Sequence, residues 1–229
     1  MRVAIVGGTG DEGFALARRL ASAGEDVVIG SREEGRGANA AAEASAGPGD
    51  VSVEGTENAK AVASADVVFV TVPYAGQAAI YRDLKEEWPD GVVVCDTTTP
   101  LASAVGDRAW RVLRPWEGSA AEQAKQLLPD RVRFVAGFHT VGARPLADLD
   151  APVEADVLLC GDDDEAKAVV GDLVDRIPGL RWLDCGPLSV ARIVEPLTAL
   201  LISVNRRYRI HGAGVRLTGR EAWGTPPTK

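Results

Sequence analysis

The chain has 229 residues, 46% of them hydrophobic, which is typical of a soluble globular protein with one full domain and a smaller one. Asp and Glu number 33 against 25 Lys and Arg, so the formal charge is −8, and this argues against the basic face that a nucleic-acid-binding protein needs. No apolar run approaches the roughly 20 residues that cross a bilayer, so we expect no membrane partner and a cytoplasmic location.

The first part of the chain alternates apolar runs with helical patterns. The predicted strands span residues 3–6, 26–30, 51–53, 65–72, 91–95 and 132–138. The predicted helices span residues 12–23, 37–46, 56–64, 75–88 and 119–128, and residues 96–117 are predicted to be irregular. Thr56 and Ser119 are the expected N-caps of the third and fifth helices. Strands that alternate with crossover helices predict an α/β fold, the doubly wound parallel sheet of the Rossmann type.

A domain boundary is expected near residues 145–152, which divides the chain into a Rossmann domain, residues 1–148, and a smaller C-terminal α/β domain, residues 149–229. The second domain is predicted to contain two strands, at residues 156–160 and 180–184. Its predicted helices span residues 163–177 and, for the long C-terminal helix, 188–208. The long helix is interrupted, or begins late, at Pro196. The polar tail at 221–229 is predicted to fray.

The turn after the first strand carries the motif Gly8-Thr9-Gly10-Asp11-Glu12-Gly13, which matches G-x-G-x-x-G. It follows a strand and opens a helix, which is the context that a dinucleotide-binding loop requires. Gly8 permits the tight turn, Gly10 lets the backbone approach a pyrophosphate, and Gly13 lets the helix pack closely on the strand. The helix N-terminus adds free N–H groups and a partial positive charge. The structural alternative is a glycine turn that binds nothing.

The end of the second strand indicates which dinucleotide binds. An NAD enzyme places an acidic residue there to hold the ribose 2′-hydroxyl, whereas here Ser31 and Arg32 stand in that place. A hydroxyl and a guanidinium bind a 2′-phosphate by charge-assisted hydrogen bonds, and Arg36 adds a second positive charge. The sequence therefore favours NADP(H). In the alternative, Ser31 caps the next helix, Arg32 is merely solvated, and Glu33 and Glu34 compete for the arginines.

Two further strand ends face the same carboxyl edge of the sheet, where open α/β proteins bind ligands. After the fourth strand, Val72 and Pro73 are expected to form an apolar shelf for the nicotinamide, with Tyr74 stacked on it or covering it. The alternative is an ordinary strand end with a helix-starting proline. After the sixth strand comes His139, which either contacts a substrate carbonyl as a proton donor or is a satisfied histidine at a strand end.

Other catalytic machinery is not evident in the sequence, which has no Tyr-x-x-x-Lys pair, no convincing Ser/His/Asp set and no metal-ligand spacing. Cys95, Cys160 and Cys185 are predicted to be buried structural thiols. The acidic run at 162–165 is predicted to be the first turn of a helix, and no metal is expected. Direct hydride transfer between two bound cofactors fits this pattern, because there the protein chiefly positions the rings.

Stretches along nearly the whole chain resemble one family, the NADPH-dependent reductases of the 8-hydroxy-5-deazaflavin coenzyme F420. In the first half these stretches are Gly7–Gly10, Val28–Arg32 and Gly118–Glu122. In the second half they are Phe138–Val141, Cys160–Asp163, Asp184–Leu188, Ala191–Thr198 and His211–Gly214. The second-half stretches carry the resemblance, because the first half would fit many NADP proteins.

The resemblance implies a homodimeric or larger enzyme that transfers a hydride reversibly between NADP(H) and coenzyme F420. It implies no obligate catalytic residue, because the deazaflavin carries only a hydride. Two other functions stay open: an NADP-dependent reductase of a small carbonyl or imine compound, with His139 as the proton donor, and a non-catalytic NADP sensor.

The resemblance also implies roles for individual residues. It implies that Thr9–Glu12 contact the pyrophosphate. Ser31, Arg32 and Arg36 would contact the 2′-phosphate, and Tyr74 and Ala143 would lie near the nicotinamide. The deazaflavin would occupy an apolar pocket between the domains, where Ala213 touches it and His139 shapes the pocket.

Overall fold

A computed structural model describes residues 1–46 and 51–219, so the predicted fraying of the tail at 221–229 lies outside the described residues. Six parallel strands form one sheet in the order β3-β2-β1-β4-β5-β6. They are β1 (Arg2–Val6), β2 (Asp26–Ser31), β3 (Val53–Glu57), β4 (Val67–Val70), β5 (Val93–Asp96) and β6 (Arg133–Ala136). The strand order reverses between β1 and β4, which is where a doubly wound sheet opens its ligand crevice. The predicted fold class is confirmed.

Helices cover both faces of this sheet. The helices of the first part are α1 (Asp11–Ser22), α2 (Glu34–Ser45), α3 (Asn58–Ala63), α4 (Tyr74–Asp83) and α5 (Ala120–Leu127). Because successive strand residues point to opposite faces, Ile5 packs with Leu16 on one side while Val6 packs with Val62 and Tyr81 on the other. Both faces are therefore buried, which leaves the strand ends and the loops after them accessible to a ligand.

The chain after β6 adds α6 (Ala143–Ala147), β7 (Asp156–Leu159), α7 (Asp164–Asp175) and β8 (Arg181–Asp184). β7 and β8 are parallel to each other and join β6 through an antiparallel bridge between Ala136 and Cys160, with hydrogen bonds of 2.8 and 2.9 Å. Val135 of β6 and Leu173 of α7 belong to one continuous hydrophobic cluster. The strands beyond residue 148 thus extend the core of the first six, and the division into two domains stays a prediction.

Three local features differ from the sequence prediction. Thr56 does not cap the third helix, because it lies within β3 opposite Gly30, and Glu57 is the N-cap. A 3-10 helix at Ala102–Val105 interrupts the segment predicted to be irregular. Helix α6 was not predicted either. Its Pro145 is tolerated in the first turn, where the missing N–H costs nothing.

The C-terminal helical segment consists of a 3-10 turn (Leu188–Val190), α8 (Ala191–Val194) and α9 (Pro196–Tyr208). Pro196 starts α9 at its first position, as one of the two predicted alternatives required. By length and composition alone, Leu188–Tyr208 is apolar enough to cross a membrane, but one such helix is weak evidence of a membrane protein. Little of its surface is buried by the rest of the chain.

Candidate functional site

The glycine loop holds β1 and α1 close together. Gly7 has a left-handed backbone with φ +81°, which makes the turn that the sequence assigned to Gly8. A Cβ at Gly8 would lie 2.9 Å from the carbonyl oxygen of Ile5, and one at Gly13 would lie 2.8 Å from the Cα of Gly8. Gly8 and Gly13 are therefore required by close approach of the backbone, while Gly10 leaves room above the loop.

The N-terminus of α1 is open to an anion. Its N-cap is Gly10, which has no side chain to satisfy the first amides, and the first hydrogen bond of the helix joins the N–H of Phe14 to the carbonyl of Gly10 at 2.8 Å. The amides of residues 11–13 precede that bond, as in any helix. The loop with Thr9 thus presents backbone donors at the carboxyl edge of the sheet, the arrangement that dinucleotide-binding folds use for a pyrophosphate.

The three residues expected at the 2′-phosphate lie together after β2. Ser31 is buried at the strand end, and its hydroxyl is 3.5 Å from the N–H of Glu33, which is the actual N-cap of α2. Arg32 and Arg36 are exposed, and neither forms an ion pair within the described residues. Glu34, one of the two acidic residues that were expected to compete for these arginines, instead forms an ion pair with Lys60 at 2.9 Å. Both guanidinium groups are available to an anion.

After β4, Val72 and Tyr74 are half-buried and Pro73 is exposed. Pro73 is the N-cap of α4, and Val72 lies against Gly7, whose added Cβ would be 2.9 Å from a Val72 methyl group. Tyr74 begins α4, and its hydroxyl donates a hydrogen bond of 3.1 Å to Gln123 of α5. Burial raises the pKa of Tyr74. The ring is therefore anchored to α5 as a wall of the crevice and stays neutral.

His139 follows β6 and is buried beside the backbone of Thr98. Neither Nδ1 nor Nε2 forms a hydrogen bond within the described part of the chain. Burial lowers the pKa of His139 to about 4, and the nearby backbone of Thr98 opposes this fall. The preceding Phe138 has φ +66°, a conformation that is strained for a bulky residue. His139 is therefore a neutral imidazole buried at the end of β6.

Thr198, which is in contact with Thr99, fixes the backbone of His139, and neither threonine was predicted as a site residue. Thr198 of α9 donates a hydrogen bond of 2.7 Å to the carbonyl of His139, and its hydroxyl is 3.0 Å from that of Thr99. Thr198 lies within the stretch Ala191–Thr198 that carried the resemblance. The helix α9 thus meets the ends of β5 and β6 at His139, a long-range contact that sequence spacing does not reveal.

Ala143 and Ala213 lie at the same corner of the molecule. Ala143 begins α6, after Gly142. The segment after α9 packs against this helix, since a Cβ at Gly212 would lie 3.0 Å from Pro145. The N–H of Ala213 donates a hydrogen bond of 3.0 Å to the side chain of Asn205 in α9. The structure therefore brings the segment that holds Ala213, the predicted deazaflavin contact, next to the helix that begins at Ala143, which was predicted near the nicotinamide.

Three buried or half-buried carboxyl groups lie at the carboxyl edge of the sheet. Asp96 accepts hydrogen bonds from Gln77, Tyr81 and the amide of Thr98 at 3.1, 2.7 and 2.8 Å. Glu195 accepts two bonds of 2.9 Å from the amides at the start of α5, and burial raises its pKa to about 8. Burial also raises the pKa of Glu12 to about 8. Only Glu12 had been predicted as a site residue.

The remaining candidates have structural partners. Asp163 caps α7, accepting a bond of 2.9 Å from Ala166, so the acidic run is a helix start as predicted. No group of three or more metal-binding side chains occurs within residues 1–46 and 51–219. Cys95 and Cys160 are buried, but the prediction is wrong for Cys185, which is half-buried because it follows the outermost strand.

Comparison with known proteins extends the match to the whole chain. Residues 2–100 match the family model of the coenzyme F420-dependent NADP oxidoreductases. The F420-dependent NADP reductase of Methanothermobacter thermautotrophicus is 42% identical over 221 residues, 95% of each chain. The F420-dependent NADP reductase of Methanocaldococcus jannaschii is 42% identical over 225 residues, 96% of this chain and 100% of the relative.

Solved structures agree on the fold. An F420-dependent NADP-reductase structure from Arthrobacter sp. FB24 aligns with a TM-score of 0.77 at 22% identity, covering 95% of this chain and 99% of that one. An imine reductase from Bacillus cereus aligns with a TM-score of 0.56 at 14% identity, covering 91% of this chain and 60% of that one. The identities above 40% along nearly the full length decide the assignment, and the chain belongs to the family of coenzyme F420-dependent NADP oxidoreductases.

Proposed function

We propose that this chain is an oxidoreductase that transfers a hydride reversibly between NADP(H) and coenzyme F420. The observation that carries this proposal is the end-to-end similarity to reductases named for these two substrates. The open α1 N-terminus and the exposed cationic pair after β2 support it, because both suit a phosphorylated dinucleotide.

The NADP(H) site follows from the strand ends. Backbone amides of the loop Gly8–Gly13 bind the pyrophosphate, with Thr9, Gly10, Asp11 and Glu12 in the turn. Ser31, Arg32 and Arg36 bind the 2′-phosphate. The nicotinamide lies against Val72, Pro73 and Tyr74, on the half of the sheet formed by β4 to β6.

The deazaflavin site lies where α6, α9 and the β6 end converge. Ala213 lines it, Ala143 lies on its nicotinamide side, and His139 hydrogen-bonds a polar atom of the ring system through its buried imidazole. The hydride passes directly between the two rings, so no side chain forms a covalent bond. The chain contributes orientation and exclusion of water, which are the two terms that favour direct hydride transfer.

One assay tests this function. Purified protein is mixed with NADPH and oxidised F420, and the loss of deazaflavin absorbance is followed, with NADH as the comparison. Turnover with NADPH that greatly exceeds turnover with NADH is expected. Tight NADPH binding without turnover would overturn the proposal and favour an NADP sensor.

The second candidate, reduction of a small imine or carbonyl compound, has the fold similarity to the imine reductase in its favour. It needs a proton donor, and His139 was the expected one. A pKa of about 4 leaves that imidazole unprotonated at neutral pH, which disfavours this alternative. Assaying cyclic imines in place of F420 separates the two functions.

We further infer a cytoplasmic homodimer. The exposed apolar side chains of α8 and α9 support this assembly, because a free monomer would leave them in water. No nucleic acid, membrane or metal ion is expected as a partner.

A further inference from the structure

After α9 the chain continues as an irregular segment, residues 211–217, which we call the C-terminal strap. The strap crosses α6 and the end of β6. A Cβ at Gly212 would lie 3.0 Å from Pro145, and one at Gly214 would lie 3.7 Å from the carbonyl oxygen of Thr140. The strap therefore runs along the carboxyl end of β6, the edge at which doubly wound sheets bind their ligands.

Apolar burial contributes little to holding the C-terminal strap in place. Ala213 and Val215 are half-buried, and the rest of the strap is exposed. Segments with so little buried apolar surface open at a low cost in free energy unless polar contacts hold them. The position of the strap therefore depends on its hydrogen bonds and ion pairs.

Asp156, at the start of β7, provides such contacts. Its side chain is fully buried, and its carboxylate accepts hydrogen bonds from the N–H of Leu217 at 2.6 Å and from the guanidinium of Arg216 at 3.1 Å. Its own N–H donates to the carbonyl of Val215 at 2.7 Å. Arg181 of β8 donates to the same carboxylate at 2.6 and 2.7 Å. One buried carboxylate thus ties the strap to both outer strands.

The backbone of Asp156 also holds the end of β6. Its carbonyl accepts a hydrogen bond of 2.9 Å from the hydroxyl of Thr140, the residue after His139. The β6 end is therefore bonded to the backbone of Asp156, whereas the strap is bonded to its side chain as well. A substitution at Arg216 loosens the strap without removing the hydrogen bond at Thr140.

A buried ion pair is a poor device for stability alone. Taking charges out of water costs free energy, and packed apolar side chains of similar volume often stabilise a fold as well as such a pair does. What the pair adds here is a defined geometry. Arg216 donates to the carbonyl of Gly179 at 2.9 Å as well as to Asp156, which fixes the direction of its guanidinium. The arrangement therefore specifies one position of the strap relative to the β6 end.

We propose that Asp156 and Arg216 are positioning residues for the deazaflavin, because they hold the C-terminal strap in the place where it forms one side of the ring site. The proposal rests on the function proposed above. Neither residue needs to touch a ring. The phosphate contacts of NADP(H) are proposed at the ends of β1 and β2, whereas the strap lies at the end of β6. Loosening the strap should therefore impair use of the deazaflavin and leave NADPH binding intact.

The test replaces Arg216, because loss of the buried Asp156 carboxylate would also break its pair with Arg181 of β8. In Arg216→Ala we expect the KM for F420 to rise about tenfold, because binding must then also order the loosened strap. The kcat should change less than the KM, since the strap is ordered once F420 is bound. The Kd for NADPH should stay constant. Arg216→Lys keeps the charge beside Asp156 and should have an intermediate KM.

The matched control is Arg133→Ala. Arg133 pairs with Asp163 at the start of α7, away from the strap, and its side chain is 30% exposed against 36% for Arg216. We expect this variant to lose a comparable ion pair and to keep the KM for F420. An equal rise of the KM in both variants would mean a general effect of lost stability and would overturn the proposal.

A second measurement needs no turnover. Hydrogen exchange followed by mass spectrometry should show faster exchange in the C-terminal strap of Arg216→Ala than in the unsubstituted protein. Unchanged exchange there, or faster exchange with an unchanged KM for F420, would refute the positioning role while leaving the proposed function intact. Absence of F420 turnover in the unsubstituted protein would instead overturn the function and this role together.

Discussion

At the scale of single residues, the preference for NADP(H) depends on Arg32 and Arg36 being free of acidic partners within the described residues. Both side chains are exposed, and their acidic neighbour Glu34 forms an ion pair with Lys60 of α3. The substitution of an acid by Ser31 at the strand end could be read directly from the sequence. That the arginines are free of ion pairs within the described residues could not, because Lys60 is 26 positions from Glu34.

Replacing Arg32 by Ala should weaken NADPH binding about 10- to 100-fold, the worth of one or two charge-assisted hydrogen bonds. NADH binding should change little, because NADH has no 2′-phosphate. Fluorescence titration with both nucleotides measures this difference, and Arg82→Ala, an exposed arginine on α4, is the matched control. Equal losses for NADPH and NADH would mean that Arg32 does not contact the 2′-phosphate.

His139 gives a second prediction at this scale. In His139→Leu we expect the KM for F420 to rise about tenfold, since one neutral hydrogen bond is lost, and the Kd for NADPH to stay constant. In His139→Gln, which keeps a donor and an acceptor, most of the affinity should return. The pH profiles of the unsubstituted protein and of His139→Gln should run parallel from pH 5.5 to 8, because a group with a pKa of about 4 does not titrate there. A step near pH 6.5 that disappears in His139→Gln would contradict this role.

At the scale of elements, local patterns predicted the six-stranded sheet because its strands are short apolar runs separated by helices that glycine and capping residues delimit. Ser119 is an example: its hydroxyl accepts the N–H of Glu122 at 3.0 Å, as the capping box required. Helix α6 escaped prediction because its support is distant. The guanidinium of Arg19 in α1 donates to the carbonyls of Leu146 and Pro145 at 2.8 and 3.0 Å.

The same limit applies to the site. The glycine loop and the phosphate-binding residues are contiguous in the chain, so the sequence could identify them. The contact of Thr198 with His139 joins α9 to the β6 end over 59 positions, and only the fold brings them together.

Glu195 connects two elements, because its carboxyl at the start of α9 accepts hydrogen bonds from the amides at the start of α5. Glu195→Ala leaves the amides of Ala120 and Ala121 without acceptors and should lower the free energy of unfolding by about 1–3 kcal/mol. Glu195→Gln keeps one acceptor oxygen and should cost less. Urea denaturation followed by circular dichroism measures both. Equal stabilities of the two variants would mean that these hydrogen bonds contribute nothing.

The contribution of Glu195 to stability depends on pH, and the direction of this dependence follows from its pKa. The pKa of Glu195 is raised from 4.5 to about 8 in the folded chain, so its neutral form stabilises the fold fully below pH 4.5 and this contribution is lost as the pH rises towards 8. Glutamine stays neutral throughout. The stability of Glu195→Gln relative to the unsubstituted protein should therefore improve between pH 5 and pH 8, and a difference that is constant with pH would contradict the assignment.

At the scale of the whole molecule, the rest of the chain covers little of the C-terminal helices. Only Ala199 of the 13 residues of α9 is buried, while Ile193, Leu200 and Tyr208 are 67%, 57% and 68% exposed. Apolar side chains this exposed normally meet a partner surface. A second copy of the chain is the partner consistent with the homodimer proposed above. Thr198 lies on the same helix, so the interface would also stabilise the element that holds His139.

The final prediction tests this assembly. Replacing both Ile193 and Leu200 by Glu places charges in the proposed interface, where burial of an unpaired carboxylate is costly. Sedimentation velocity should show the unsubstituted protein as a dimer and the double variant as a monomer. Val105→Glu, at an apolar position that is 69% exposed outside these helices, should remain dimeric. Because Thr198 fixes the backbone of His139, the monomeric variant should also have a higher KM for F420 with an unchanged Kd for NADPH. A monomeric unsubstituted protein with full activity would show that the exposed helix face serves another contact.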